Sequence, residues 1–255
     1  MKRNSLVFFR PEKEVLIAFY AFIACVLFNF ISDLFIGTPL FHIFYQGILA
    51  LGICILFPLW FTVVKQKQPL SVLGITTNQW SKAVWVGILI AALSTGGRLM
   101  GLHIHFPDTN VLLYLIACMV MSTLFEEVFF RGFLQTWFEK SFGMIPAILL
   151  SGLCFSLYHV GYYNVRGDVP ELITLFCIGI FFSISFRITN NIITSYIVNL
   201  PQAILTFLGE PRFIAYGVHF DGTSAVIALI TTLIGLFLII FFNLKTHKAT
   251  TSPAG

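Results

Sequence analysis

Apolar residues along this chain fall in long, nearly unbroken runs, not in the strict alternation of strands or the one-sided stripes of soluble helices. A spanning helix needs about 20 mostly apolar residues. Eight segments reach or approach that length: 15–35, 41–64, 83–102, 111–138, 144–162, 171–187, 191–208 and 224–243. Turn formers punctuate them: Gly37 and Pro39, Pro69 and Gly74, Pro107 and Asp108, Gly143 and Pro146, Gly167 and Pro170, Asn190 and Asn191, Gly209 and Pro211. The pattern predicts an all-α, polytopic membrane helix bundle of about eight transmembrane helices. Residues 69–82 read as a short cytoplasmic linker with an interfacial helical turn.

Composition sharpens this picture. The chain is 58% hydrophobic and 10% charged, against about 45–50% and about 25% in soluble domains. The apolar excess is spread over the whole length, so residues 1–255 are expected to form one membrane-embedded domain. Placing the N-terminus inside assigns Lys2, Arg3, Arg10, Lys13, Lys65, Lys67, Lys82, Arg131, Lys140, Arg187, Lys245 and Lys248 to the cytoplasmic half, 12 of the 15 basic residues. Only Arg98, Arg166 and Arg212 go to the other side. An odd number of helices breaks that bias, so the count of eight and cytoplasmic N- and C-termini support each other. The expected location is the cell (plasma or inner) membrane, with the lipid bilayer itself a partner.

The net charge of +4 carries no basic stripe with interleaved aromatics, which argues against nucleic acid. The basic N-terminus before the first run resembles a signal peptide, but it lacks a small-x-small cleavage site and the run is long enough to span. Cys25, Cys54, Cys118, Cys154 and Cys177 lie in apolar runs without a CxxC pair and read as small buried hydrophobes.

Candidate chemistry centres on the fourth segment, where Phe125-Glu126-Glu127-Val128-Phe129-Phe130-Arg131-Gly132 sets two acids and a base in an apolar stretch. Each charge at mid-membrane costs about 2.5–3.5 kcal/mol on insertion scales, so three within six residues need a reason. Glu127 and Arg131, spaced i,i+4, are expected to pair. Glu126, about 100° around the axis, is left without a local partner and suits a general base. The plainer alternative is an ion pair locking two helices together.

Helix 5 adds Phe155-Ser156-Leu157-Tyr158-His159. His159 lies about 22 Å above the inner surface, and Glu126 reaches that level only if helix 4 continues through Phe133, Leu134, Trp137 and Phe138. Asn199, on helix 7, lies about 12 Å from the inner end and can join from a third wall. His103 and His105 have the spacing of a metal pair but read as loop histidines. Asp33 and Arg98 are candidates for a cavity wall or for interfacial snorkelling.

The Glu-Glu-x-x-x-Arg of 126–131 followed by the Phe-x-x-x-His of 155–159 resembles the first two motifs of the CPBP intramembrane metalloproteases. That family includes the CAAX-processing and bacteriocin-processing (Abi, bacteriocin immunity) proteins and the type II CAAX prenyl endopeptidase. The likeness covers roughly residues 73–203. It implies intramembrane endopeptidase activity: Glu126 and His159 hold and activate the attacking water, directly or through a zinc-like divalent metal ion bound by Glu126 and His159. Glu127 and Arg131 support the site, and the substrate is a membrane-bound peptide or a protein, prenylated in some members.

The family's third motif, His-x-x-x-Asn, is where this chain departs. Its two positions fall on Asn199 and Ala203, or on Ser195 and Asn199, and neither register supplies a histidine. Asn199 retains the ability to donate to an oxyanion. A non-proteolytic immunity or peptide-binding protein on the same scaffold is the competing reading. A proton-relaying transporter is a third, with no repeat or broken helix to support it.

Overall fold

The computed structural model describes residues 6–100, 104, 106–209 and 221–251, the last seven by backbone alone. His103, His105 and Arg212, singled out above, lie outside the described residues. Among the described residues eight main helices run in sequence: α1 (Lys13–Asp33), α2 (Pro39–Lys65), α3 (Trp80–Leu99), α4 (Thr109–Phe142), α5 (Met144–His159), α6 (Val169–Thr189), α7 (Ile192–Gly209) and α8 (Gly222–Thr251). Among the described residues there is no strand, and seven of these helices are long and apolar enough to cross a membrane. The chain is a multi-pass membrane protein. The exception is α5, whose 16 residues give about 24 Å, less than the roughly 30 Å hydrocarbon core.

Cross-contacts fix which helix ends share a face. At one end Gln66 donates to Glu14, Arg187 pairs with Glu139 at 3.2 Å, and the Ile192 amide donates to the Gly74 carbonyl. At the other end Arg166 pairs with Asp33, Arg98 donates to Gln202 and Thr206, and Gln46 donates to the Ser224 carbonyl. The first end carries Arg10, Lys13, Lys65, Lys67, Lys82, Lys140 and Arg187 and is called the basic end below.

Helix α4 is the axis of the bundle. Residues 125–138 are buried on every side, the polar Glu126, Glu127, Arg131, Gln135 and Thr136 among them. It continues four residues past Phe138, to Phe142. From Glu127 to Gln135 it widens into i→i+5 turns, a departure from α geometry that recurs at functional sites.

The linker after α2 differs from its expected interfacial place. Its single turn, Leu70–Leu73, is packed under α4 with both leucines buried. Gly132 permits this: a Cβ there would stand 2.9 Å from the Leu73 carbonyl oxygen. Helices α5 and α6 approach just as closely, because Gly152 and Gly179 face each other and a Cβ on Gly179 would meet the Gly152 Cα at 2.9 Å. Between α6 and α7, Asn190 takes a left-handed φ of 51° and the Asn191 side chain accepts from the Ile193 amide, which is why two asparagines make that turn. Four cysteines are buried as expected; Cys177 is instead exposed on the outer face of α6.

Candidate active site

Arg131 organises the region below the acids. Its Nη1 donates to the Ser151 hydroxyl of α5 at 2.7 Å and to the Ser183 hydroxyl of α6 at 2.8 Å. The guanidinium carbon lies 5.2 Å from the Phe155 ring centroid and 5.9 Å from that of Phe182, a cation–π environment. One side chain thus ties α4, α5 and α6 together.

The expected Glu127–Arg131 pair forms as a loose ion pair: Arg131 Nε lies 4.0 Å from Glu127 Oε2, beyond hydrogen-bonding distance, while the guanidinium donates to the two serines. The close partner of both acids is Asn199 of α7. Its Nδ2 donates to Glu127 Oε1 at 2.9 Å and to Glu126 Oε2 at 3.3 Å. Glu126 therefore has a partner after all, and both amide protons of Asn199 are committed to carboxylates. Ser195, one turn away, faces Glu127.

Glu126, His159 and Asn199 all line one cavity of about 120 Å³. His159 Nδ1 lies 2.7 Å from the Phe155 carbonyl, so that nitrogen carries the proton and Nε2 is the acceptor. Glu127 and Arg131 do not reach the cavity wall; they stand behind Glu126. Arg98 is a wall residue, whereas Asp33 is not: its carboxylate binds Arg166, which also donates to the Gly161 carbonyl and so pins the loop following His159.

A feature absent from the sequence reading is a chain of three phenols. Tyr158 and Tyr162 hydroxyls are 2.6 Å apart, and Tyr162 and Tyr45 hydroxyls 3.1 Å apart. Tyr45 and Tyr162 line the cavity, and the Glu126 carboxylate is near enough to Tyr45 and Tyr158 to act on them electrostatically. The i,i+4 spacing of Tyr158 and Tyr162 was a visible signal; Tyr45, 117 positions from Tyr162, was not.

A metal ion at Glu126 and His159 needs further donors, since zinc sites take at least three protein ligands. Among the described residues no three His, Cys, Asp or Glu side chains converge, and the third nearby polar group, Asn199, turns its amide nitrogen toward the acids. The donor set does not fit a resident metal.

Residues 108–200 match the family model described as type II CAAX prenyl endopeptidase Rce1-like. The match holds both acids and Arg131 on α4, His159 on α5 and Asn199 on α7. This segment is similar to the CPBP, or CAAX-protease, family. The likeness supports a CAAX-type intramembrane protease function in general terms. Neither the curated proteins nor the solved structures contain a match to the chain.

Proposed function

We propose that this CAAX-protease relative is a glutamate-dependent intramembrane endopeptidase of the cell membrane, cleaving a membrane-associated peptide by water attack. The observation that carries the reading is the meeting of Glu126, His159 and Asn199, from three helices, at one cavity. Water placed between Glu126 and His159 gives up a proton to Glu126 as its oxygen bonds to the scissile carbonyl carbon. The C–N bond then breaks, and the same proton passes from Glu126 to the leaving amine. His159 Nε2 accepts the second water hydrogen and so aims the attacking lone pair.

Asn199 serves in this scheme as a positioning residue that holds the two carboxylates, since its amide protons are already taken. The donor for the tetrahedral oxyanion is then an O–H of the tyrosine chain where it lines the cavity. No step is routed through a metal.

The test is cleavage of membrane-tethered peptides by the reconstituted protein. Glu126→Ala and His159→Ala are expected to abolish cleavage without loss of folded protein; undiminished cleavage in both sinks the proposal. One observation favours a second reading, a non-proteolytic peptide-binding or immunity protein: the third-motif histidine is replaced, and its substitute is engaged with the acids. A folded Glu126→Gln variant that retains full biological protection selects that reading.

A further inference from the structure

The cavity has a deep end and a shallow end. Glu126, Asn199, Phe155 and Phe182 are all less than a tenth exposed, while Arg98, Tyr162, Asn164, Glu171 and Thr206 are half-buried. The half-buried set sits at one face of the bundle. Arg98 is one residue from the last residue of α3, Glu171 is two from the first of α6, Thr206 is three from the last of α7, and Asn164 follows α5. On the opposite side the cavity is closed by the solid stretch of α4, where Phe129, Phe130, Arg131, Phe133 and Gln135 have no exposure at all.

That closed side is the basic end, with seven lysines and arginines at its described helix termini. Two, Arg98 and Arg166, stand at the face that carries the shallow set. Lysine and arginine are retained on the cytoplasmic side of membrane proteins, so the two asymmetries, of charge and of cavity depth, point in opposite directions.

We propose that the cavity opens to the extracytoplasmic side and takes its peptide from that face, so that the substrate is an exported or outer-leaflet-anchored chain and not a cytosolic one. This rests on the protease reading only for the word substrate; the sidedness of the cavity stands without it. From the outer ends of α6 and α7 to Phe182 and Asn199 is about 15–20 Å, a depth an extended segment of about five residues covers. The peptide enters end-on or from the outer leaflet, leaving the basic end intact.

The test uses the full chain in sealed membranes. In a Cys177→Ala background, single cysteines are introduced at Asn164 and, as an orientation control, at Lys67, and labelled with a membrane-impermeant maleimide. The N164C site is expected to react at least tenfold faster in right-side-out than in inside-out vesicles, and K67C the reverse. Labelling of N164C from the side that reaches K67C overturns the proposal, as does silence of N164C from both sides when K67C reports a correctly inserted chain. A second mouth position, T206C, guards against a local effect at the loop. The readout needs no cleavage, so outside labelling without proteolysis would leave sidedness standing and sink the protease reading, and the converse result would do the opposite.

Discussion

Glu126 and Arg131 stand five residues apart on one helix and live in different materials. Away from the basic end, α4 borders a cavity lined by hydroxyls, an amide and an imidazole, and its carboxylate at 126 accepts from Asn199 with room beside it. Toward the basic end the same helix is sealed, and its guanidinium is held by two serines and two aromatic rings. The difference teaches that charge density in a membrane helix does not by itself mark chemistry. Three ionisable groups share one stretch; the one beside space is open to a substrate, and the one without space holds together the helices that create it.

The sharpest way to break this comparison is at Glu126. Substitution by Gln keeps the shape and the Asn199 contact but removes the base. Loss of about 10²–10⁴-fold in kcat/KM is expected, with a thermal midpoint unchanged within a few degrees. A matching fall in stability would show that Glu126 belongs with the structural set and erase the distinction drawn here.

The reverse outcome is expected at Arg131. Replacing it by Met leaves Glu127 buried with its amide partner but no neighbouring cation, and leaves Ser151 and Ser183 without their shared donor. Removing one partner of a buried charge pair costs about 3–5 kcal/mol. The 4.0 Å separation argues for the lower half of that range. Unfolding in detergent should register this directly, and what activity remains per folded molecule should stay near that of the unaltered protein. An R131M protein as stable as the parent would mean that the serines and rings, and not the charge, hold the three helices.

Much of this was legible in the sequence because membrane insertion leaves coarse marks. Eight apolar runs, their Gly, Pro and Asn breaks, and the cost of intramembrane charge were enough to locate α1 to α8 and to single out 126, 127, 131, 159 and 199. The extension of α4 toward Phe138 also followed from a depth argument. The details of partnership were not legible. An i,i+4 spacing says that Glu127 and Arg131 are able to meet, but it is silent about Ser151 and Ser183, which compete for the same guanidinium from 20 and 52 residues away. The i→i+5 widening of α4 further changes the angular arithmetic that left Glu126 alone. Likewise the burial of Leu70 and Leu73 depends on Gly132 letting a carbonyl pass, a tertiary event that an amphipathic pattern does not record.

A smaller effect separates the cavity wall from the chemistry within it. Tyr162→Phe removes one hydroxyl from the phenol chain while preserving its ring packing. If the chain supplies the oxyanion donor, kcat should fall by about 10²-fold with KM little changed. Retention of kcat would move the donor to Asn199 and require its amide to leave one of the carboxylates during the reaction.

The smallest effect lies at the outer rim, where exposed caps replace the buried clamp of the basic end. The Asp221 carboxylate accepts from the Ser224 amide at 2.8 Å at the start of α8, and that backbone donor holds its pKa below the ordinary aspartate value. A depressed folded pKa means stabilisation that is present above the unfolded value of about 3.9 and is lost as the pH falls through the folded one. Because the group is largely exposed, Asp221→Ala should cost only about 0.5–1 kcal/mol at neutral pH, a midpoint shift of about 2–4 °C at most. The gap between the two proteins should close as the pH falls below the unfolded value. Asp221→Asn, which keeps an acceptor but no titrating proton, should lie close to the parent at neutral pH and lose this acid sensitivity. A gap that persists in acid would assign the effect to the side chain's packing, and the rim would then resemble the basic end more than the comparison allows.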